Sequence, residues 1–574
     1  MKILNLVIIL LLTAVPTFAT DFETATEAVK NMGVGWNLGN TLEAYRQTET
    51  DFTKEAYWGQ QDVTSETCWG QYVTKPELLK MFKDAGYGAI RVPVTWFNHT
   101  DIDGNIDAAW MKRVHEVVDY VINQGMYCII NVHHDTGADG DSFKSWIKAD
   151  AASYTNNKTR YENIWSQIAT EFKDYGEKLL FEGYNEMLDS YNSWNYASSM
   201  ISGGYSAAEA LKSYTAINNY AQSFVDVVRA TGGNNAARNL IVNTYGACNG
   251  YATWTKDQTI LNHLTEVLTK MQKPTGESNH VIFEVHSYPN IENLSTAKTE
   301  IDNMISNLNT NLIERLGAPV IIGEWGTSNV DGGAGKTDYD LRRSDMLEFV
   351  DYFVKQTKAN GIGTFYWMGL SDGLSRTFPA FTQADLAQKM LQAWYGSDYN
   401  PTLPTKDSYS DATISCTVNY TDQYGEFNLV QGINAADYQH LRLELGSAPA
   451  SGGLQFKVYG DTEKSVEIAN KNTNLSLTGL GSITRITLQL LGSAPSSVKV
   501  NKVYLVKKDG SKEIAEPSVF WGCTMSDIEV VTGIQNVTYK PVGNDGVVYN
   551  LSGQRVVSPT RGLYIRNGKK FIIK

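Results

Sequence analysis

A chain of 574 residues is too long for one average domain and leaves room for a large barrel or several modules. Its apolar fraction of 42% is ordinary for a globular protein, and 62 acidic against 49 basic side chains give a net charge of -13. That balance excludes a nucleic-acid binder, which needs a basic footprint for phosphates.

In chain order, the first element is MKILNLVIILLLTAVPTFAT. One lysine precedes a short apolar run broken by Pro16, and Thr17-Phe18-Ala19 offers a small-residue cleavage site. This predicts a secretory signal peptide over 1–19 rather than a membrane anchor. The expected location is therefore secreted or at the cell surface.

From residue 33 to about 397, short apolar runs alternate with helical patterns. The runs are VGWNLG (34–39), GAIRVPV (88–94), MYCIINVHH (126–134), LLFEGYNE (179–186), NLIVNTY (239–245), VIFEVHSY (281–288), PVIIGEWG (319–326) and GTFYWMG (363–369). Between them lie stretches such as AAWMKRVHEVVDYVINQG and YTAINNYAQSFVDVVRATGG, the second closed by a Gly-Gly stop. Eight such units in roughly 360 residues predict an α/β fold, a (β/α)8 TIM barrel with insertions, over 20–397. Polar side chains crowd the last positions of the runs: Asn37, Arg91, His133, His134, Asn185, Glu186, His286, Tyr288, Glu324 and Trp367. In such barrels the working residues sit at the C-terminal ends of strands.

The segment NPTLPTKDS (400–408) reads as a linker, assigned to 398–408. After it, HLRLELG, LQFKVYG, SITRITLQLLG and SVKVNKVYLVKK predict a small all-β sandwich over 409–527, an accessory and potentially carbohydrate-binding domain. The tail, 528–574, reads as short strands with "SG" and "NG" turns.

Five cysteines do not make a disulfide scaffold, and no CxxC or HExxH marks a zinc site. Cys128 reads as a packed thiol, while the sequence leaves open whether Cys416 and Cys523 pair. GVGWNLGN is a weak dinucleotide signal with a tryptophan in its turn, GGAG (332–335) lacks the Lys-Ser/Thr of a P-loop, and no GxSxG exists. No metal and no organic cofactor is expected.

Two carboxylates end predicted strands, Glu186 and Glu324. Cleaving a glycosidic bond needs such a pair, one protonating the leaving oxygen and the other attacking the anomeric carbon or activating water. Arg91, inside an apolar strand, needs a carboxylate partner and would keep a nucleophile ionised. A structural Arg–Glu pair below the barrel mouth is the bland alternative. Alternation places Glu182, Tyr184 and Glu186 on one face of a strand, and Glu284, His286 and Tyr288 on one face of another. Glu182 and Glu284, away from strand ends, are expected to support the pair from behind. His133 and His134 should point to opposite sides, with Asp135 orienting one of them. His133 is expected to bond substrate or a carboxylate; His134 is either a core histidine or a substrate contact. Tyr191, Trp194 and Tyr196 in the insertion after Glu186 either form subsites or pack the loop.

The set GWNLGNTLEA, IRVPVTW, INVHHD, FEGYNE, HSYP, IIGEWG and FYWMG, in this order, resembles glycoside hydrolase family 5, a group of retaining (β/α)8 enzymes. The resemblance implies Glu186 as acid/base, Glu324 as nucleophile, Asn185 on the sugar 2-hydroxyl, and Arg91 and Tyr288 on Glu324. It places His133 and His286 in the catalytic subsite, Trp367 as a sugar platform and Asn37 on the glycone side. Asn185-Glu186-Met187 replaces the Asn-Glu-Pro of many relatives, which leaves the chemistry intact and the polysaccharide open. The opening GWNLGNT looks most like endo-β-1,4-glucanases, with xylanase, xyloglucanase and mannanase as alternatives. A surface glycan-binding protein with a disabled barrel is the alternative of another class. GQRV…RGLYIRNGKK resembles type IX secretion sorting signals, which would make the secretion machinery a partner beside the polysaccharide. The enzyme is expected to be a monomer that binds no nucleic acid and spans no membrane.

Overall fold

The computed structural model describes residues 22–140, 143–276, 278–328, 337–406, 413–492 and 497–531, and four short strands of the tail. The leader 1–19 and GGAG at 332–335 lie outside the described residues. The chain forms two compact units that part near residue 408.

The first unit is built on eight parallel strands: β1 (Val34–Asn37), β2 (Ala89–Val92), β3 (Tyr127–Asn131), β4 (Leu179–Glu182), β5 (Leu240–Asn243), β6 (Val281–Ser287), β7 (Val320–Trp325) and β8 (Gly363–Tyr366). They run in order and close, β1 pairing with β8. Every strand residue is buried, as expected when helices cover the outside of a parallel barrel. The helices carry ordinary stop and start chemistry. Pro76–Ala85 begins on proline and ends at Gly86, whose φ of 113° only glycine takes without strain. Ala108–Ile122, Ala151–Glu171 and Ala207–Ala230 are capped by the side chains of Asp107, Asp150 and Ser206.

The alternation of strand side chains stacks the barrel interior in layers. The lower layer is apolar, with Ala89, Ile129, Leu180, Ile241, Ile282, Ile321 and Phe365 clustered with Ala25, Ala28 and Val29 of the helix Ala25–Asn31. Two residues further along the strands come Asn37, Arg91, Asn131, Glu182, Asn243 and Glu284, each with no exposed surface. A buried layer this polar is tolerated only if its members satisfy one another.

The second unit has a five-stranded and a six-stranded antiparallel sheet. Alternating burial along Tyr438–Leu445 and Leu454–Gly460 gives each sheet one apolar face. The Tyr420 hydroxyl of one sheet donates to the Leu488 carbonyl of the other. None of the five cysteines is in a disulfide, so Cys416 and Cys523 do not pair. In the tail, Val548–Tyr549, Arg555–Val556, Gly562–Arg566 and Lys569–Ile573 form a four-stranded sheet.

Candidate active site

The polar layer is organised around Arg91 on β2. Its guanidinium grips Glu182 bidentately, Nε to Oε2 at 2.7 Å and Nη2 to Oε1 at 2.8 Å. Nη1 reaches Glu324 Oε1 at 2.8 Å and Asn37 Oδ1 at 3.0 Å, and Nη2 reaches Asn185 Oδ1 at 2.8 Å. Nε also lies 3.3 Å from Glu284 Oε1. A planar fork with five donors suits this task and a lysine would not. Three carboxylates around one cation hold Arg91 well above the ordinary guanidinium range despite its burial.

Arg91 thus meets Glu324 as the resemblance implies, and neither it nor Asn37, expected on the glycone side, has exposed surface to offer a substrate. Asn37 donates through Nδ2 to the carbonyls of Gly323 and Phe365 at 2.9 and 3.2 Å. Both residues stand behind the carboxylates because β1 and β2 end level with the buried layer, one layer below the mouth.

Glu324 sits on β7 just after a bulge. Val285 pairs with Ile322 but His286 pairs with Glu324, so Gly323 is the extra residue. A Cβ on Gly323 would lie 1.5 Å from Glu284 Oε1. Only glycine lets the Glu284 carboxylate come this close, so Gly323→Ala should destabilise the fold by about 3 kcal/mol, measurable as a lower denaturant midpoint.

Glu324 Oε2 accepts from the Tyr288 hydroxyl at 2.8 Å and lies 3.5 Å from His286 Nδ1. Burial pushes its carboxyl up, but His286, Arg91 and the Tyr288 hydrogen bond outweigh this and hold it below the ordinary range. Tyr288→Phe should lower kcat/KM by about tenfold and move the acid limb of the pH profile upward, because one bond that favours the ionised carboxylate is gone.

Glu186 follows β4 in the loop Gly183–Met187. Its Oε1 lies 2.8 Å from His286 Nδ1, and 24% of its side chain is exposed. One oxygen each of Glu186 and Glu324 and a nitrogen of His286 all lie within 4.8 Å of one another. His286 Nε2 is 3.4 Å from Glu284 Oε1. Burial lowers the basicity of His286, but Glu324, Glu186 and Glu284 overcome it and raise its pKa to about 10. The stabilisation this brings is fully present below 6.5 and is lost as the pH rises through about 10. The three groups could enclose a metal ion by distance alone. A protonated imidazole has no lone pair to offer one, so the donor set suits a proton better. Burial, and then the charge of Glu182, raise Glu284 to about 7 in spite of Arg91.

His133 Nδ1 is 3.0 Å from the Asn131 amide nitrogen, and its Nε2 is 3.9 Å from Glu324 Oε1. Burial, with the charges of His134 and Arg91, holds His133 well below the usual histidine range, hence neutral. Trp367 follows β8, its ring parallel to His133 within 4° at 6.1 Å.

Most of the local expectations that fail do so because the strands stop early. β3 ends at Asn131, so His133 and His134 are past it and their rings meet edge to face at 4.5 Å instead of pointing apart. His134 is not an enclosed core histidine; it is half-buried and packs on Tyr45 and Trp69. Asp135 orients neither histidine. It accepts from the backbone of Trp96 and Phe97 and from Trp146 Nε1 at 2.7 Å. β4 ends at Glu182, and Tyr161 and Trp165 donate to the Gly183 carbonyl. Tyr184 therefore leaves the barrel face and donates to Asn243 O. Glu284, His286 and Tyr288 do act together: His286 and Tyr288 both reach Glu324 Oε2, and Glu284 backs His286 from the other side of its ring.

Three supporting residues escape a motif reading. Asn131 and Asn243 donate to Glu182 Oε1 at 3.0 and 3.1 Å. Both lie two residues beyond an inward isoleucine, which is the signal that could have found them. Trp69, 38% exposed, packs on His134 at 5.3 Å and donates to Tyr45 O, and nothing local in the sequence marks it. In the insertion, Tyr191 and Trp194 are exposed while Tyr196 packs against His263 and Tyr205.

Comparison with known proteins decides the family: residues 51–372 match the cellulase family, glycosyl hydrolase family 5. This chain is a glycosyl hydrolase of family 5. Endoglucanase B of Neocallimastix patriciarum is 33% identical over 402 residues, 67% of this chain and 74% of its own length. A broad specificity GH5-4 endoglucanase from an uncultured bacterium is 59% identical, covering 65% of this chain and 97% of its own, with a TM-score of 0.60. A family 5 enzyme from Prevotella bryantii B14, solved with a xyloglucan tetradecasaccharide, is 38% identical, covering 66% and 99%, with a TM-score of 0.55. Among the described residues of the family 5 chain, no helix is long and apolar enough to cross a membrane.

Proposed function

We propose that this family 5 hydrolase is a retaining endo-β-1,4-glucanase in which Glu324 is the nucleophile and Glu186 the acid/base. One observation carries the reading: oxygens of the two carboxylates lie within 4.8 Å, with His286 between them. Double displacement works with carboxyl groups about 5–5.5 Å apart, whereas inverting enzymes need about 6.5–9.5 Å to seat a water.

In the first step Glu324 Oε attacks the anomeric carbon and the glycosidic C–O bond breaks. The proton of Glu186 goes to the departing oxygen, leaving a covalent glycosyl-enzyme and a Glu186 carboxylate. In the second, Glu186 takes a proton from water, whose oxygen attacks the anomeric carbon and releases Glu324. Negative charge thus passes from Glu324 to Glu186 and back, and the His286 cation between them stays paired throughout. The Asn185 amide is turned for a sugar 2-hydroxyl, its Oδ1 being fixed by Arg91. Trp367 and Trp69, joined by the rings of His133 and His134 in a run leading from Glu324, present part-exposed flat faces suited to sugars. The roles of the 409–527 domain in glycan binding, of the 1–19 leader in secretion and of the 528–574 tail in type IX sorting to the cell surface belong to the same proposal.

The test is release of reducing ends from soluble cellulose, mixed-linkage β-glucan, xyloglucan, xylan and mannan by the purified mature chain. Activity on the glucans that vanishes in Glu324→Ala supports the reading. Activity confined to xylan or mannan keeps the mechanism and changes the substrate. Glycan binding with no hydrolysis of any polymer favours a binding protein.

A further inference from the structure

The run of rings ends on a loop held from behind. Glu66 to Thr74 is a bend between the 3-10 turn Val63–Thr67 and the helix Pro76–Ala85, and Trp69 stands on it. Gly70 turns the chain at the tip with φ 92°. The neck is tied by one guanidinium. Arg113, on the helix Ala108–Ile122, donates Nε to Glu66 Oε2 at 2.8 Å and Nη2 to Glu66 Oε1 at 3.0 Å. The same Nη2 donates to the Thr74 carbonyl at 2.9 Å, and the Thr74 amide donates to Glu66 Oε1 at 2.7 Å. Both ends of the bend therefore meet at Arg113. The pair is nearly dry, with 11% of the Arg113 side chain and 2% of the Glu66 side chain exposed. At the tip, Trp69 Nε1 donates to Tyr45 O at 2.9 Å, and Gln71 bonds Asp372 and the amide of Gly373 in the loop after β8.

An exposed ion pair would contribute little, but a buried bidentate one has a single good geometry. Nothing in the hydrolytic chemistry uses Arg113 or Glu66. Apart from bonds of Arg113 to Glu116 and Tyr120 on its own helix, what the pair fixes is the bend, and the bend carries Trp69 onto His134.

We infer that the Glu66–Arg113 clamp is a positioning device for a remote sugar subsite at Trp69, which sets the preference of the enzyme for long chains over short ones. The inference rests on the reading of Trp69 as a sugar platform. Lysine at 113 would keep the charge but, as a single point donor, could not bridge both Glu66 oxygens and the Thr74 carbonyl. The bend would then shift while Glu186, Glu324 and their partners stay in place, because Arg113 contacts none of them.

The experiment compares kcat/KM on cellohexaose and on a chromogenic aryl cellobioside for wild type, Arg113→Lys, Glu66→Gln, Trp69→Ala and the double variant Trp69→Ala/Arg113→Lys. Arg113→Lys and Glu66→Gln should each lose about tenfold on the hexaose, mainly in KM, and less than about twofold on the short substrate. Trp69→Ala should show the same pattern, and the double variant should be no worse than Trp69→Ala alone. A purely structural clamp would lower both substrates equally, and that result overturns the inference. If Trp69→Ala changes the ratio of the two substrates but neither clamp variant does, the clamp fails and the platform stands. If Trp69→Ala leaves the ratio unchanged, the platform reading fails and takes the clamp with it.

Discussion

Replacing Glu324 by alanine is expected to abolish turnover, lowering kcat on soluble cellulose by on the order of 10⁵-fold, with the fold intact. The size follows from the role. Without the carboxylate no covalent intermediate forms, and the remaining groups supply only binding and a proton. Stability should change little or rise, because Glu324 is one of three carboxylates crowded onto Arg91 and its removal leaves the cation still paired with Glu182 and Glu284. A small anion such as azide fits the space of the lost side chain and should restore cleavage of an activated aryl glycoside, giving the product of inverted configuration. Rescue at Glu324→Ala but with retained configuration would move the nucleophile elsewhere. The Glu186→Gln variant should behave differently. It should lose activity strongly on polymers yet much less on aryl glycosides whose leaving group needs no proton.

Arg91→Met is expected to have the largest effect on the fold. Methionine fills much of the space, but Glu182, Glu284 and Glu324 are then left buried beside one another without their common cation. Breaking such a buried pair costs about 3–5 kcal/mol, a fall in Tm of about 5–10 °C for a barrel of this size. The loss should depend on pH with a definite sign. Arg91 helps hold Glu324 below its ordinary pKa, so its contribution is present where the carboxylates are ionised and is lost as they protonate on acidification. The gap between wild type and variant should be widest near neutral pH and close toward acid. Activity should follow: with Arg91 gone, Glu324 ionises only at higher pH and the acid limb moves up. An equal stability loss at every pH would mean that packing, rather than charge, is what Arg91 supplies.

The barrel was legible because its signals are local and repeated. Eight apolar runs recurred with polar residues crowded toward their ends, and the family pieces IRVPVTW, FEGYNE and IIGEWG fell at β2, β4 and β7 in order. The period of two along β6 grouped Glu284 and His286, since β6 runs on to Ser287, and Tyr288 one residue further still reaches Glu324. The same rule failed at Tyr184, because β4 stops at Glu182 and alternation has no force beyond a strand end. It failed for His133 and His134 for the same reason. Asp135 was misjudged because its partners, Trp96, Phe97 and Trp146, come from loops that no local pattern brings together.

Asn37 and Arg91 illustrate a different limit. Sequence puts them at strand ends, and depth within the barrel is what makes them supports rather than substrate contacts. The Gly323 bulge is a matter of register between two strands, invisible in either strand alone. Trp69 and Arg113 were out of reach because an irregular bend and the helix that ties it are joined only in space.

In double displacement one carboxylate becomes covalently bound and the anomeric configuration is kept. Proton NMR of the first turnovers on cellohexaose reads that configuration, before mutarotation mixes the anomers. With Glu324 as nucleophile the newly formed reducing end should appear as the β-anomer and relax to the mixture later. Appearance of the α-anomer first would contradict it, and would make Glu324 a base that activates water instead of a nucleophile.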